Sequence, residues 1–304
     1  MSTAVAVGPA VAAALAEGRP VVALETAIVT HGLPRPRNRE VATELEDQLW
    51  ARGVTPATVG VVDGVATVGL GMHQLDVLAS ADGVSKASVR NLPVVIARRG
   101  SAGTTVAATA WLARAVGIRV FATGGIGGVH RGAGESFDVS ADLAALAATP
   151  ITVVCAGVKS ILDVAATLER LETLSVVVLG YRTQSFPGFY VADSGLPVPA
   201  SVSGPDEVVA AMAAADDLGL QGAIVVANPV PSAQQLDPAL HETAVADAVA
   251  TAESEGIRGP ALTPFLLDRL RVATGEASLA ANVAAVRHNV AVAADIAHAW
   301  CAHG

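Results

Sequence analysis

Arg119–Ser160 reads RVFATGGIGGVHRGAGESFDVSADLAALAATPITVVCAGVKS. A short apolar run, Arg119–Ala122, opens into a glycine-rich segment, Thr123–Gly134. A polar stretch with three carboxylates (Glu135, Asp138, Asp142) follows. A second β-branched run, Ile151–Ala156, ends at Gly157-Val158-Lys159-Ser160. Apolar runs without polar alternation are the mark of strands buried on both faces, as in a parallel sheet covered by helices.

The same alternation extends outward. Further strands are predicted at Val21–Leu24, Thr58–Val62, Val94–Ala97, Ser175–Leu179 and Ala223–Ala227. Helical patterns lie over 39–52, 103–116, 160–173, 205–218, 238–255, 260–274 and 278–299, and the Ala-rich N-terminus reads as a further helix. In the last of these, Leu279, Val283, Val286 and Val290 recur at spacings of four, three and four. Strands alternating with helices predict an α/β protein with three layers, α/β/α, and a largely parallel central sheet. With no repeat or linker visible, one domain over residues 1–304 is expected.

Composition narrows the function. The net charge of −9 argues against a nucleic-acid partner. Aromatics make up 3% of the chain, so stacking platforms are expected to be few. Cys155 and Cys301 do not make a disulfide framework, and Cys155 reads as a core residue. No basic leader or membrane span is evident, which predicts a soluble, cytoplasmic protein. There are 17 arginines but only two lysines, Lys86 and Lys159. A lysine kept in an arginine-rich chain either survives by drift or does what arginine cannot, losing its proton to attack a carbonyl.

Ligands in α/β sheets bind beyond the carboxyl ends of strands. Polar residues fall there: Glu25-Thr26, Thr123–Gly134, Lys159-Ser160 and Asn228-Pro229. Glu25, directly after an apolar strand, is either a desolvated general acid or a solvated strand end. His31–Asn38 is a stiff basic loop that positions substrate or caps a helix. Asp138 and Asp142, four apart, share a face if the stretch is helical. They suit a water-rich Mg²⁺ or Mn²⁺ shell, or are helix N-terminal charge. Lys159 is expected near a helix N-terminus, whose field disfavours the ammonium. Lys86 is a second cation beside it or a phosphate contact. Dinucleotide, P-loop, zinc and G-x-S-x-G signatures are absent. Gly125-x-Gly127 puts His130 where a third glycine is needed, and Val158 precedes Lys159 where a P-loop needs glycine.

Together these segments resemble the pseudouridine-5′-phosphate glycosidase family, also called the indigoidine synthase A-like family. The resemblance rests on ALETAIVTHGLPRPRN (23–38), the Lys86 turn, TGGIGGVHRGAGESFDVSADL (123–143) and CAGVKSILDVAATLERLET (155–173). It continues in FPGFYVADSG (186–195), ANPVP (227–231), TPFLL (263–267) and SLAANVAAVRHN (278–289). It implies an α/β/α homotrimer that uses Mn²⁺ or another divalent cation. The implied reaction is reversible cleavage of the C–C glycosidic bond of pseudouridine 5′-phosphate to uracil and ribose 5-phosphate. By that pattern Lys159 is the nucleophile, Glu25 the proton donor and Asp138 the metal ligand. Lys86, Val106, Ser140, Ala141 and Asp142 are substrate-binding positions, and His130 and Asn282 belong to the site segments. After Glu25 the family more often has Ser-Thr, where this chain has Thr26-Ala27, so a hydroxyl contact beside Glu25 is in question. The competing readings are an α/β/α sugar or nucleoside kinase, which would need an ATP site, and a non-catalytic binding protein on the same fold.

Overall fold

The structure is a computed structural model that describes residues 5–257 and 262–303, apart from the side chains of Thr263 and Pro264. The strands are β1 (Ala6–Val7), β2 (Val21–Leu24), β3 (Thr55–Val62), β4 (Val65–Val68), β5 (Ser85–Ala87) and β6 (Ala102–Thr104). They continue with β7 (Val120–Ala122), β8 (Thr152–Cys155), β9 (Val177–Tyr181), β10 (Ala200–Val202) and β11 (Ile224–Ala227). The helices are α1 (Pro9–Ala16), α2 (Arg37–Ala51), α3 (Met72–Ser80), α4 (Leu92–Ala97), α5 (Val106–Ala115) and α6 (Ala133–Ser136). They continue with α7 (Ala141–Ala147), α8 (Val164–Thr173), α9 (Pro205–Asp217), α10 (Pro238–Ser254), α11 (Leu262–Ala273) and α12 (Ala277–His303). The start of the helix expected from residue 260 lies outside the described residues.

Seven strands run parallel in the order β3-β2-β7-β8-β11-β9-β10. Their apolar runs feed two cores at once. Val22, Leu24, Val120, Ala122, Val154, Ile224 and Val226 point to one face, under α2, α9 and α12. Val21, Ala23, Phe121, Val153, Cys155, Val225 and Ala227 point to the other, which also gathers residues of α1, α5, α7, α8, α10 and α11. Side chains alternate along a strand, so a strand buried on both sides must be apolar throughout. This is the expected three-layer α/β/α fold. None of the described helices is long and apolar enough to cross a membrane.

β3 is longer than expected, and its extension shapes the site. Its first half pairs with β2, and β6 takes the same side antiparallel at Gly60 and Val61, beyond the end of β2. β4 pairs antiparallel along the other side. β5 lies parallel to β6, with Lys86 opposite Gly103. The extension therefore carries Lys86 past the carboxyl end of β2, where Glu25 stands.

Three expectations are corrected. Val94–Ala97 is the end of α4, not a strand. Pro93 sits in its first turn, and only Leu92 and Val95, three apart, are buried while Val94 and Ile96 are exposed. Lys159 is not at a helix N-terminus. The chain turns over Lys159–Leu162, and α8 begins only after Asp163, whose carboxylate accepts from Ala166 N at 2.9 Å. A side-chain cap of that kind sets where a helix starts. Asp138 and Asp142 do not share a helical face, because Ser140 caps α7 and Asp138 lies outside it in extended chain.

Candidate active site

A cleft of about 110 Å³ opens at the carboxyl ends of β2, β7 and β8. Glu25, His31, Lys86, Gly124, Gly125, Lys159 and Asn282 line it, with Phe189, Tyr190 and Arg271. It joins residues from opposite ends of the sequence at the place where the chain, having run from β2 to β3, returns to β7 on the other side of β2. Such a reversal leaves a crevice at the sheet edge.

Glu25 is buried, and Thr123 Oγ1 donates to its Oε1. Burial raises its pKa above the usual carboxylate range. The charge of Lys159 and the Thr123 hydrogen bond oppose the rise, and nearby Asp142 adds to it. Glu25 thus holds its proton longer than an exposed glutamate, as a general acid must. The hydroxyl beside it comes from Thr123, not from its chain neighbours. Thr26 Oγ1 instead donates to Val59 O at 2.6 Å and accepts from Thr104 N at 2.9 Å, tying β2 to β3 and β6.

Lys86 has its pKa lowered, first by desolvation and then by the Lys159 charge, with Glu25 and Asp142 pulling the other way. Two lysines and one glutamate thus influence one another across the cleft. His31 also has its pKa lowered, by burial and then by Lys86. It stands on a π-helical turn, Ile28–Gly32, directly after Glu25-Thr26-Ala27, a form of helix frequent at functional sites. The basic loop divides its work. Arg35 reaches Ala81 O and Asp82 ahead of β5, and Arg37 binds Glu40 and Glu44 on α2.

Apart from Lys86, the substrate-binding positions implied by resemblance form a second tier. Thr105 N donates to Ala87 O, so Val106, first residue of α5, follows directly on the β5–β6 pair that holds Lys86. Asp142 is buried, and its carboxylate accepts from Ala107 N and Gly127 N, both at 2.9 Å. It thereby joins the N-terminal turns of α5 and α7 to the glycine loop. Ser140 caps α7, and Ala141 is exposed in its first turn.

Asp138 does not line this cleft. It faces a neighbouring one of about 550 Å³ with His130, Glu135, Ser136 and Ile161. His130 Nδ1 is 3.9 Å from Asp138 Oδ2. Among the described residues no three or more His, Cys, Asp or Glu side chains converge as a metal cage. One half-exposed carboxylate with an imidazole beside it fits a hard divalent ion that keeps most of its water.

Three residues carry weight that the sequence reading did not assign. Asn289 on α12 is fully buried. Its Nδ2 donates to Thr123 O at 2.7 Å, and its Oδ1 accepts from Asn228 Nδ2 at 2.9 Å. The polar Asn228-Pro229 pair after β11 was the available signal. Phe189 and Tyr190 put two of the chain's ten aromatic residues on the cleft wall, despite its low aromatic content. Their signal was the FPGFY segment, which the resemblance covers without giving it a role.

A family described as "Indigoidine synthase A like protein" matches residues 10–299. The chain is 62% identical over 289 residues to a pseudouridine-5′-phosphate glycosidase of Frankia alni, covering 95% of this chain and 80% of that one. It is 59% identical to the glycosidase of the same name from Saccharopolyspora erythraea, covering 94% of each. Among solved structures, the prealnumycin C-glycosynthase AlnA in complex with ribulose 5-phosphate superposes with a TM-score of 0.93 at 35% identity, covering 100% of this chain and 99% of that one. An indigoidine synthase A-like protein of Thermotoga maritima superposes at 0.85 with 36% identity, covering 92% and 93%. By sequence and by fold, this chain belongs to the indigoidine synthase A-like family.

Proposed function

We propose that the protein is a pseudouridine-5′-phosphate glycosidase, which reversibly cleaves the C–C bond between uracil and ribose 5-phosphate. The observation that carries this reading is the convergence of Lys159, Glu25 and Lys86 in one cleft, with a raised carboxyl pKa between the two lysines. Relatives of that name at 59–62% identity support it. A solved relative in complex with ribulose 5-phosphate supports a five-carbon sugar phosphate as ligand.

A C-glycoside has no leaving oxygen that protonation alone releases, so a pair of carboxylates is insufficient. Glu25 gives its proton to the ring oxygen O4′. The C1′–O4′ bond breaks with its electron pair on oxygen, and the neutral amine of Lys159 bonds to C1′. The amine's proton returns to Glu25. Glu25 then gives that proton to uracil at C5, and the C1′–C5 bond breaks, its electrons restoring the C5–C6 double bond while the Lys159 lone pair forms a C1′ iminium. Water adds to C1′ and frees Lys159 and ribose 5-phosphate. Arginine cannot replace Lys159, because it stays protonated. Lys86 suits the phosphate, which needs a cation, and Val106 N at the start of α5 is the one N–H of that turn not already given to Ala87 O, Asp142 or Thr105. Asp138, with His130 beside it, would hold Mn²⁺ or a similar divalent cation. Such an ion, bound largely through water, would supply positive charge and polarised water in the cleft next to the reacting groups. The chain is expected to act as a cytoplasmic homotrimer.

Borohydride trapping with ribose 5-phosphate, read by intact mass, tests the reading. A sugar-phosphate adduct is expected on wild type and not on Lys159→Ala. An adduct on both would move the nucleophile to Lys86. No adduct on an enzyme that turns over would overturn the iminium mechanism.

A further inference from the structure

The lining of the cleft divides by chemistry. Lys86, Lys159 and Glu25 form its charged part. Phe189, Tyr190, Leu279 and Asn282 carry no charge, and Arg271 beside them is engaged by Asp268 and Glu276. A sugar phosphate matches the first set, which leaves the second for a neutral ring.

Two features mark the neutral part as built for a purpose. Phe189 has a φ of +70°, a left-handed conformation that disfavours any residue with a Cβ. A bulky side chain retained there points to function. Its N–H donates to Ala156 O at 3.0 Å, and its ring lies over Gly125. A Cβ at Gly125 would come within 2.5 Å of Phe189 Cδ2, so the glycine loop is shaped to admit this ring. The second feature is Tyr190. Its ring meets Phe189 edge to face at 4.5 Å between centroids, and the residue is only 4% exposed. Its hydroxyl has no hydrogen-bond partner among the described residues, and burial alone raises its pKa, so it stays a neutral phenol. A tyrosine hydroxyl on the wall of a cleft is free to take a ligand as its partner.

We propose that Phe189 and Tyr190 form the nucleobase half of the site. The Phe189 ring packs against the flat face of a neutral pyrimidine, and the Tyr190 hydroxyl donates to one of its ring carbonyls. This rests on the glycosidase reading and deepens it by assigning residues that select the base.

The test measures condensation of uracil with ribose 5-phosphate in wild type, Tyr190→Phe and Phe189→Leu, alongside borohydride trapping of ribose 5-phosphate alone. Both variants are expected to raise KM for uracil, Tyr190→Phe by roughly fivefold, the usual weight of one hydrogen bond. Both are expected to trap the sugar phosphate as wild type does, because trapping involves no base. Replacing uracil with 2-thiouracil and 4-thiouracil gives an independent readout. Wild type loses affinity for the analogue whose sulfur faces Tyr190, and Tyr190→Phe no longer tells the two apart. An unchanged KM for uracil in Tyr190→Phe overturns the proposal. So does a fall in trapping that parallels the fall in turnover, which would mark a structural role. A wild-type protein that neither traps nor turns over strikes down the glycosidase reading and this assignment with it.

Discussion

Glu25 meets two opposed demands. The proposed mechanism needs a carboxyl that holds its proton, and burial favours that by penalising the carboxylate. The same burial works against the fold. With its native pKa raised above the unfolded value, Glu25 favours the folded state at low pH, and that contribution is lost as pH rises through the native pKa. Glu25→Gln removes the titration while keeping the shape. The expected outcome is no turnover, but a Tm advantage over wild type that is small near pH 4 and grows as pH rises toward 8, measured by thermal melts across pH. A lower Tm at pH 8 would show that the ionised carboxylate beside Lys159 stabilises the fold.

Among the elements, α12 does most to hold the site. It packs against β2, β7 and β8 and is flanked by α2 and α9. Through Asn289 it fixes the carbonyl of Thr123, whose side chain holds Glu25, and through Asn282 it reaches the cleft. Removing one partner leaves the other buried and unpaired. Asn289→Ala is therefore expected to cost about 1–3 kcal/mol in urea unfolding and to lower kcat, although Asn289 does not line the cleft. An unchanged denaturation midpoint would mean that water replaces the amide. Helix boundaries follow similar local rules. Asp163, Thr105 and Ser140 decide where α8, α5 and α7 begin, which leaves Lys159 on a free turn and Val106 in a first helical turn.

For the whole molecule, a site assembled across several strand ends ties ligand binding to the stability of the sheet. Ribose 5-phosphate at a hundred times its Kd should add about 2.7 kcal/mol of stability and raise Tm, and Lys86→Ala should remove most of that shift. An undiminished shift in the variant would place the phosphate elsewhere. Metal removal should act differently. One carboxylate and one imidazole cannot hold the fold as a closed metal site does. A chelator is expected to lower activity while leaving the Tm of the free enzyme in place, as read by calorimetry with and without added Mn²⁺.

The α/β/α layering could be read from the chain because strands buried on two faces must be apolar throughout, and Val21–Leu24, Ile151–Ala156 and Ala223–Ala227 announce themselves that way. Glu25 and Lys159 could be read from their places just past such runs, and the chemistry of a scarce lysine in an arginine-rich chain is a property of residue type. Contacts between distant segments could not. The overhang of β3, which carries Lys86 past Glu25, depends on which strands pair. The hydroxyl on Glu25 comes from Thr123, 98 positions away. Asp138 and Asp142, four apart, part company because Ser140 caps a helix between them. Phe189 enters the cleft only because Gly125 leaves room for its ring. Burial pattern and residue chemistry are local and survive in one dimension, whereas pairing, capping and close approach exist only once the chain has folded.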